Sequence, residues 1–161
     1  MIEQALVAIE ELAFVSALRN STYMYPLVNA GHIFGVAMLV GGIMPLDLRL
    51  LGLWRNYPVM MFVDVLRITS AIGLGVAVVC GALLFATAAA DYAESPLFQA
   101  KIVLVLLGLS NALMLGRVFK RRDIRSLPMT ASMPLPVRSG ALVSLVVWVS
   151  ALILGRLLGY F

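Results

Sequence analysis

Hydrophobic positions along this chain gather into four long runs, roughly 26–46, 68–90, 97–118 and 140–160, parted by short polar or charged segments. Each run is long enough to cross a bilayer, whose apolar core takes ~20 residues of helix. Residues 2–19, "IEQALVAIEELAFVSALR", follow a different pattern. Ile2, Leu6, Ile9 and Ala13 recur at helical spacing, with Glu3 and Glu10 off that stripe. Three glutamates make this a poor span, so the pattern predicts an amphipathic helix lying in the interface. The "NSTYMYP" that follows is a helix breaker with two tyrosines suited to the headgroup level. The expected architecture is all-α: an integral membrane four-helix bundle with an N-terminal amphipathic interfacial helix, one membrane domain over residues 1–161.

Local signals refine the boundaries. Pro26 and Pro96 fall at first-turn positions, where a missing N–H costs nothing, and Ser95 is placed to cap the third span. Pro45 is expected to end or kink the first span. Residues 57–67, "YPVMMFVDVLR", should lengthen the second helix beyond the membrane, with Asp64 and Arg67 pairing at i,i+3. Residues 126–138, "SLPMTASMPLPVR", read as a proline-rich loop.

Composition agrees with a membrane chain. Of 161 residues, 62% are hydrophobic and 12% charged, and the mean hydropathy is +1.01. A soluble domain of this length could not bury so much apolar surface, so the lipid bilayer is its solvent. The net charge of +4 does not signal nucleic acid, because Lys and Arg cluster at the ends of apolar runs. The acidic N-terminus, with Glu3, Glu10 and Glu11, lacks the basic region of a signal peptide. Arg49, Arg55, Arg67, Arg117, Lys120, Arg121, Arg122, Arg125 and Arg138 share one side; Arg19, Lys101 and Arg156 remain on the other. Nine against three places both termini outside. The lone Cys80 reads as a small packing residue.

Ionisable groups inside the spans carry the candidate chemistry. His32, the single histidine, lies six residues into span one, about 9 Å from its outer end. Lys101 lies four residues into span three, about 6 Å down. Arg156 falls in the outer third of span four, so three spans bring nitrogen-bearing side chains to one level. His32, Gly35, Leu39 and Gly42 share one helical stripe, with Asn29 close by. Those glycines admit either a flat ring or another helix, and Gly31 and Gly35 form a GxxxG. An axial haem ligand at His32, with Lys101 and Arg156 at the propionates, uses all these features. A quinone-like ligand in the same outer third of the bundle would instead accept a hydrogen bond from His32, and for either ligand Asn29 and Asn111 supply polar contacts. Copper is the alternative, through His32 with Met24 or Met38. A third reading is a structural subunit that anchors a membrane or periplasmic protein partner. At the inner end, "PLDLR" sets Asp47 and Arg49 at i,i+2, where they cannot face each other. Each is expected to pair with another helix, through Asp64 or Arg67, and to lock the bundle's inner end, with substrate contact as the alternative.

"HIFG" followed by "GGIMPLDLR", and "FQAKIVLVLLGLSN" in the third span, resemble motifs of small bacterial membrane proteins. The pattern is similar to the copper resistance protein D family, the bacterial membrane protoporphyrinogen oxidases and an uncharacterised group of four-span relatives, over about half the chain. The resemblance implies a bacterial inner-membrane protein. It implies haem b at His32, with Lys101 matching the span-three lysine and Arg49 near the inner-end arginine. Where the oxidases carry a second histidine, this chain has Ser110 and Asn111. The spacing of Lys101 and Asn111 instead resembles the copper family.

Overall fold

The computed structural model describes residues 2–121 and 132–160, and within them the chain is helical without strands. The N-terminal segment is two helices, α1 (Ile2–Glu10) and α2 (Ala13–Asn20), rather than one continuous helix over 2–19. The break at Glu11 and Leu12 turns Val15 and Leu18 inward, where both are buried. Four long helices follow: α3 (Met24–Leu51), α4 (Val59–Ala86), α6 (Pro96–Arg121) and α7 (Leu135–Leu157), with a short α5 (Ala89–Glu94) between α4 and α6. All four are long and apolar enough to cross a membrane. The protein is a polytopic membrane helical bundle.

Pro45 does not end α3, which runs on to Leu51. The missing N–H frees the Gly41 carbonyl, and Gly41 has open space where a side chain would be. The helix stops at Gly52, whose φ of 116° is the left-handed cap that glycine adopts at no steric cost. α4 begins at Val59, so the expected extension over 57–67 is present. Arg67 turns toward Gly116 of α6. Ser95 Oγ accepts a hydrogen bond from Phe98 N at 3.4 Å, the cap expected for the third span. Of the proline-rich segment 126–138, residues 126–131 lie outside the described residues, as do Arg122 and Arg125, and α7 already begins at Leu135.

Small residues set the packing of α3 against α4. A methyl group added at Gly35 would lie 2.5 Å from Ala77 N and 2.8 Å from Gly73 O. One at Gly73 would lie 2.5 Å from Leu39 N, and one at Gly42 would strike Ser70 Oγ. Numbers rise on α3 as they fall on α4, so the two run antiparallel, backbone on backbone. α3 also packs on α7, and α7 on α6, whereas α4 and α6 make no extensive contact. The bundle therefore has a seam between α4 and α6. Its end with the α3–α4 turn, Arg55, Arg117, Lys120 and Arg138 is called the basic end, and the opposite end the α5 end. Leu50, Val59, Met133, Val137 and Ala141 form a buried apolar plug at the basic end.

Candidate functional site

Two candidate groups of the α5 end, His32 and Arg156, are engaged by the protein itself. His32 Nδ1 is 2.7 Å from Ala77 O, and since a carbonyl only accepts, Nδ1 carries the proton and donates. The ring lies on Gly81, where an added methyl would be 3.0 Å from Cε1. Nε2 is left as the lone-pair nitrogen, an arrangement also found in ligating histidines. The Lys101 side chain runs past Gly155 of α7, within electrostatic range of His32. Arg156 turns away from both: it donates to Tyr160 Oη and stacks over that ring at 4.7 Å from its centroid. Asn29 is exposed. Asn111 is ten residues beyond Lys101 on α6, about 15 Å along the axis, and donates to Gly140 O at 2.9 Å. The structure thus brings His32 near Lys101, keeps Asn29 one turn from His32 on the same helix, and directs Arg156 and Asn111 to other partners.

The glycines beside His32 receive a helix. Gly35 is buried against the α4 backbone, so a flat macrocycle on that stripe would require α3 and α4 to part. The haem arrangement drawn from the sequence does not fit this packing. Among the described residues no three His, Cys, Asp or Glu side chains are placed to hold a metal ion together.

At the basic end, the two charges of "PLDLR" go separate ways. Arg49 is 1% exposed; its Nε and one guanidinium nitrogen donate to Tyr57 O at 3.1 and 2.9 Å, closing the α3–α4 turn. Asp47 points instead into the bundle, where the Ser144 hydroxyl of α7 donates toward its carboxyl. The residue is 3% exposed, and its Oδ2 has no hydrogen-bond partner among the described residues. Trp148, 5% exposed, is in the same condition at Nε1. Its indole lies on Gly108 of α6, where a side chain would collide at 2.8 Å.

Both unpartnered atoms belong to residues that line one cavity of about 280 Å³, walled by α3, α4, α6 and α7. Leu39, Ile43, Leu74, Leu113 and Phe119 make most of it apolar, and Ser70, Ser144 and Arg67 add polar groups. Asp47 is four residues from the end of α3, about 6 Å by helical rise, and Trp148 thirteen residues into α7, about 20 Å. Side chains lean toward the N-terminus of their helix. On these antiparallel elements the carboxyl and the indole therefore lean toward each other along the cavity. Leaving a buried donor or acceptor unmade costs about 1–3 kcal/mol. Asp47 and Trp148 thus bring an unpaired acceptor and an unpaired donor, both buried, to the walls of one cavity.

The sequence reading placed Asp47 at the bundle's lock and missed Trp148. Ser144 and Trp148 stand at i,i+4 on the buried stripe of α7, a polar pair among Val137, Ala141, Val147 and Ala151, and that spacing was the available signal. No family model, curated protein or solved structure matches this chain, so its likeness to the copper resistance protein D group rests on the short motifs alone.

Proposed function

We propose that the protein is a membrane-embedded binding module for a small oxygen-bearing ring of the quinone and quinol class, held between Asp47 and Trp148. The observation that carries this reading is the pair of buried, unpartnered atoms, Asp47 Oδ2 and Trp148 Nε1, on residues lining one cavity. A ring hydroxyl donates to Oδ2, while an oxygen elsewhere on the ring accepts from the indole N–H. The aliphatic walls suit the ring faces, following the rule that ligand sites are mostly apolar with few placed polar groups. The arginine bias supports an orientation with the basic end in the cytoplasm and both termini across the membrane, and in the bacterial inner membrane we propose for this protein the cavity then lies in the inner half of the bilayer.

The test uses Trp148 as its own reporter. With Trp54→Phe, Trp148 is the remaining tryptophan. Titrating this protein in lipid nanodiscs with a decyl-tailed benzoquinol should quench its fluorescence saturably. Asp47→Leu should weaken binding by about 10- to 100-fold, the worth of a hydrogen bond to a carboxylate. Quenching that stays linear with ligand, or is indifferent to Asp47→Leu, overturns the reading.

A further inference from the structure

The walls of the Asp47–Trp148 cavity are not equally covered. On α3 and α7 the lining residues Leu39, Asp47, Leu50, Ser144 and Trp148 are buried. On α4 and α6 the lining includes Arg67, Ala71, Leu109, Ala112 and Leu113, all exposed. The cavity therefore opens along the α4–α6 seam, toward the space that the bilayer fills. At the basic end the apolar plug closes it from below.

The seam is narrowed at one level and open at the next. Arg67 reaches from α4 to α6, its guanidinium 3.3 Å from where a side chain on Gly116 would begin. One turn nearer the α5 end stand Ala71 on α4 and Ala112 on α6, four residues from Arg67 and Gly116 respectively. These two positions carry only methyl groups, and the gap they border beside the cavity is a slot in the seam.

We infer that the ligand is a tailed molecule, whose ring sits between Asp47 and Trp148 and whose alkyl or isoprenoid chain leaves through the Ala71–Ala112 slot into the lipid. The inference rests on the ring-binding reading and adds the chemical class of the ligand. A chain lying in the slot stays among apolar groups throughout, so its passage exposes no methylene to water. Arg67, bridging the seam on the basic side, directs the chain toward the middle of the bilayer.

Two measurements on the Trp54→Phe protein test this. In the first, a decyl-tailed benzoquinol is compared with its tail-less analogue in the parent, Ala71→Leu and Ala112→Leu proteins. Both alanines are exposed, so the larger side chains should leave the fold intact, as helical content and melting temperature will verify. Filling the slot should weaken the tailed ligand by about 10- to 100-fold and leave the tail-less one unchanged. Equal effects on both ligands, or none on the tailed one, overturn the inference. The second measurement needs no ligand: lipids with brominated acyl chains should quench Trp148 through the open slot, and Ala112→Leu should relieve that quenching. If neither quinol binds, the ring reading has failed, and this second result decides the slot by itself. Relief by Ala112→Leu upholds a chain in the seam, and unchanged quenching refutes it.

Discussion

The two ends of this bundle hold similar numbers of polar side chains and treat them in opposite ways. At the α5 end, His32 donates to Ala77 O, Arg156 covers Tyr160, and Glu10 accepts from Ala90 N at 2.9 Å while facing Arg19 at 3.9 Å. Each of these groups has a partner that the chain itself supplies. Toward the basic end, Arg49 is satisfied in the same manner, but Asp47 and Trp148 are buried with an atom left over. Polar residues inside a membrane attract functional readings by their rarity. The comparison teaches that satisfaction is the better guide: the rarest residue, His32, is built into the α3–α4 contact, and the ordinary-looking aspartate is the one left open.

The largest expected effect concerns the contact that closes off the His32 stripe. Gly35→Ala puts a methyl group 2.5 Å from the Ala77 nitrogen, and backbone on both sides cannot yield. A loss of about 3 kcal/mol or more is expected, at the upper end of what overpacking costs. Gly75→Ala, also on α4, meets nothing within 4 Å and serves as the control, gaining up to about 1 kcal/mol from helix propensity. Denaturation midpoints in mixed detergent micelles read the difference. Should Gly35→Ala match its control, α3 and α4 are not in backbone contact, and a flat ligand beside His32 becomes admissible again.

The next effect sets the two ends directly against each other, because the signs differ. In ligand-free protein, Asp47→Leu removes a buried carboxyl whose Oδ2 has no partner while giving up its contact with Ser144, and should on balance stabilise the fold by about 1 kcal/mol. His32→Ala removes a made hydrogen bond and the ring that fills the space at Gly81, and should cost about 1 kcal/mol. A binding site held at the expense of stability is expected to behave like Asp47, whereas a structural contact behaves like His32. If both substitutions destabilise alike, Asp47 is an ordinary structural residue and the contrast between the ends collapses.

Much of the architecture was legible because a span is a one-dimensional signal. Length and apolar continuity located four crossings, and Ser95 with Pro96 marked the start of α6. The glycines at 35 and 42 announced a close approach without saying whether to a ring or a helix; only the partner residues Gly73 and Ser70 on α4 decide that. Depth counting put His32, Lys101 and Arg156 at one level, but level is not direction. Arg156 shows the difference, since a tyrosine four residues on draws its guanidinium along its own helix. The cavity was hidden for a related reason. Asp47 and Trp148 are 101 positions apart in sequence, and their convergence depends on α3 packing on α7, which no local pattern encodes.

The smallest expected effect sharpens the picture of the α5 end as closed. Tyr92 of α5 sits against Phe85 and Phe98, with ring centroids 6.3 and 5.6 Å away. Burial holds its phenol above the ordinary value of 10.0, and the neighbouring Tyr25 and Asp91 push in the same direction. The folded chain therefore keeps this proton at pH values where the unfolded chain has begun to release it. Stability attributable to Tyr92 is then complete below about pH 10 and falls as the pH climbs toward the raised value. Following phenolate absorbance in detergent, Tyr92→Phe should remove a late step above the ordinary value of 10.0, and the mutant should lose less stability above pH 10 than the parent. A late step that survives the substitution would show that water reaches the Phe85–Tyr92–Phe98 cluster. The α5 end would then be as open as the cavity at the other, and its satisfied histidine would have to be reconsidered as a place where something binds.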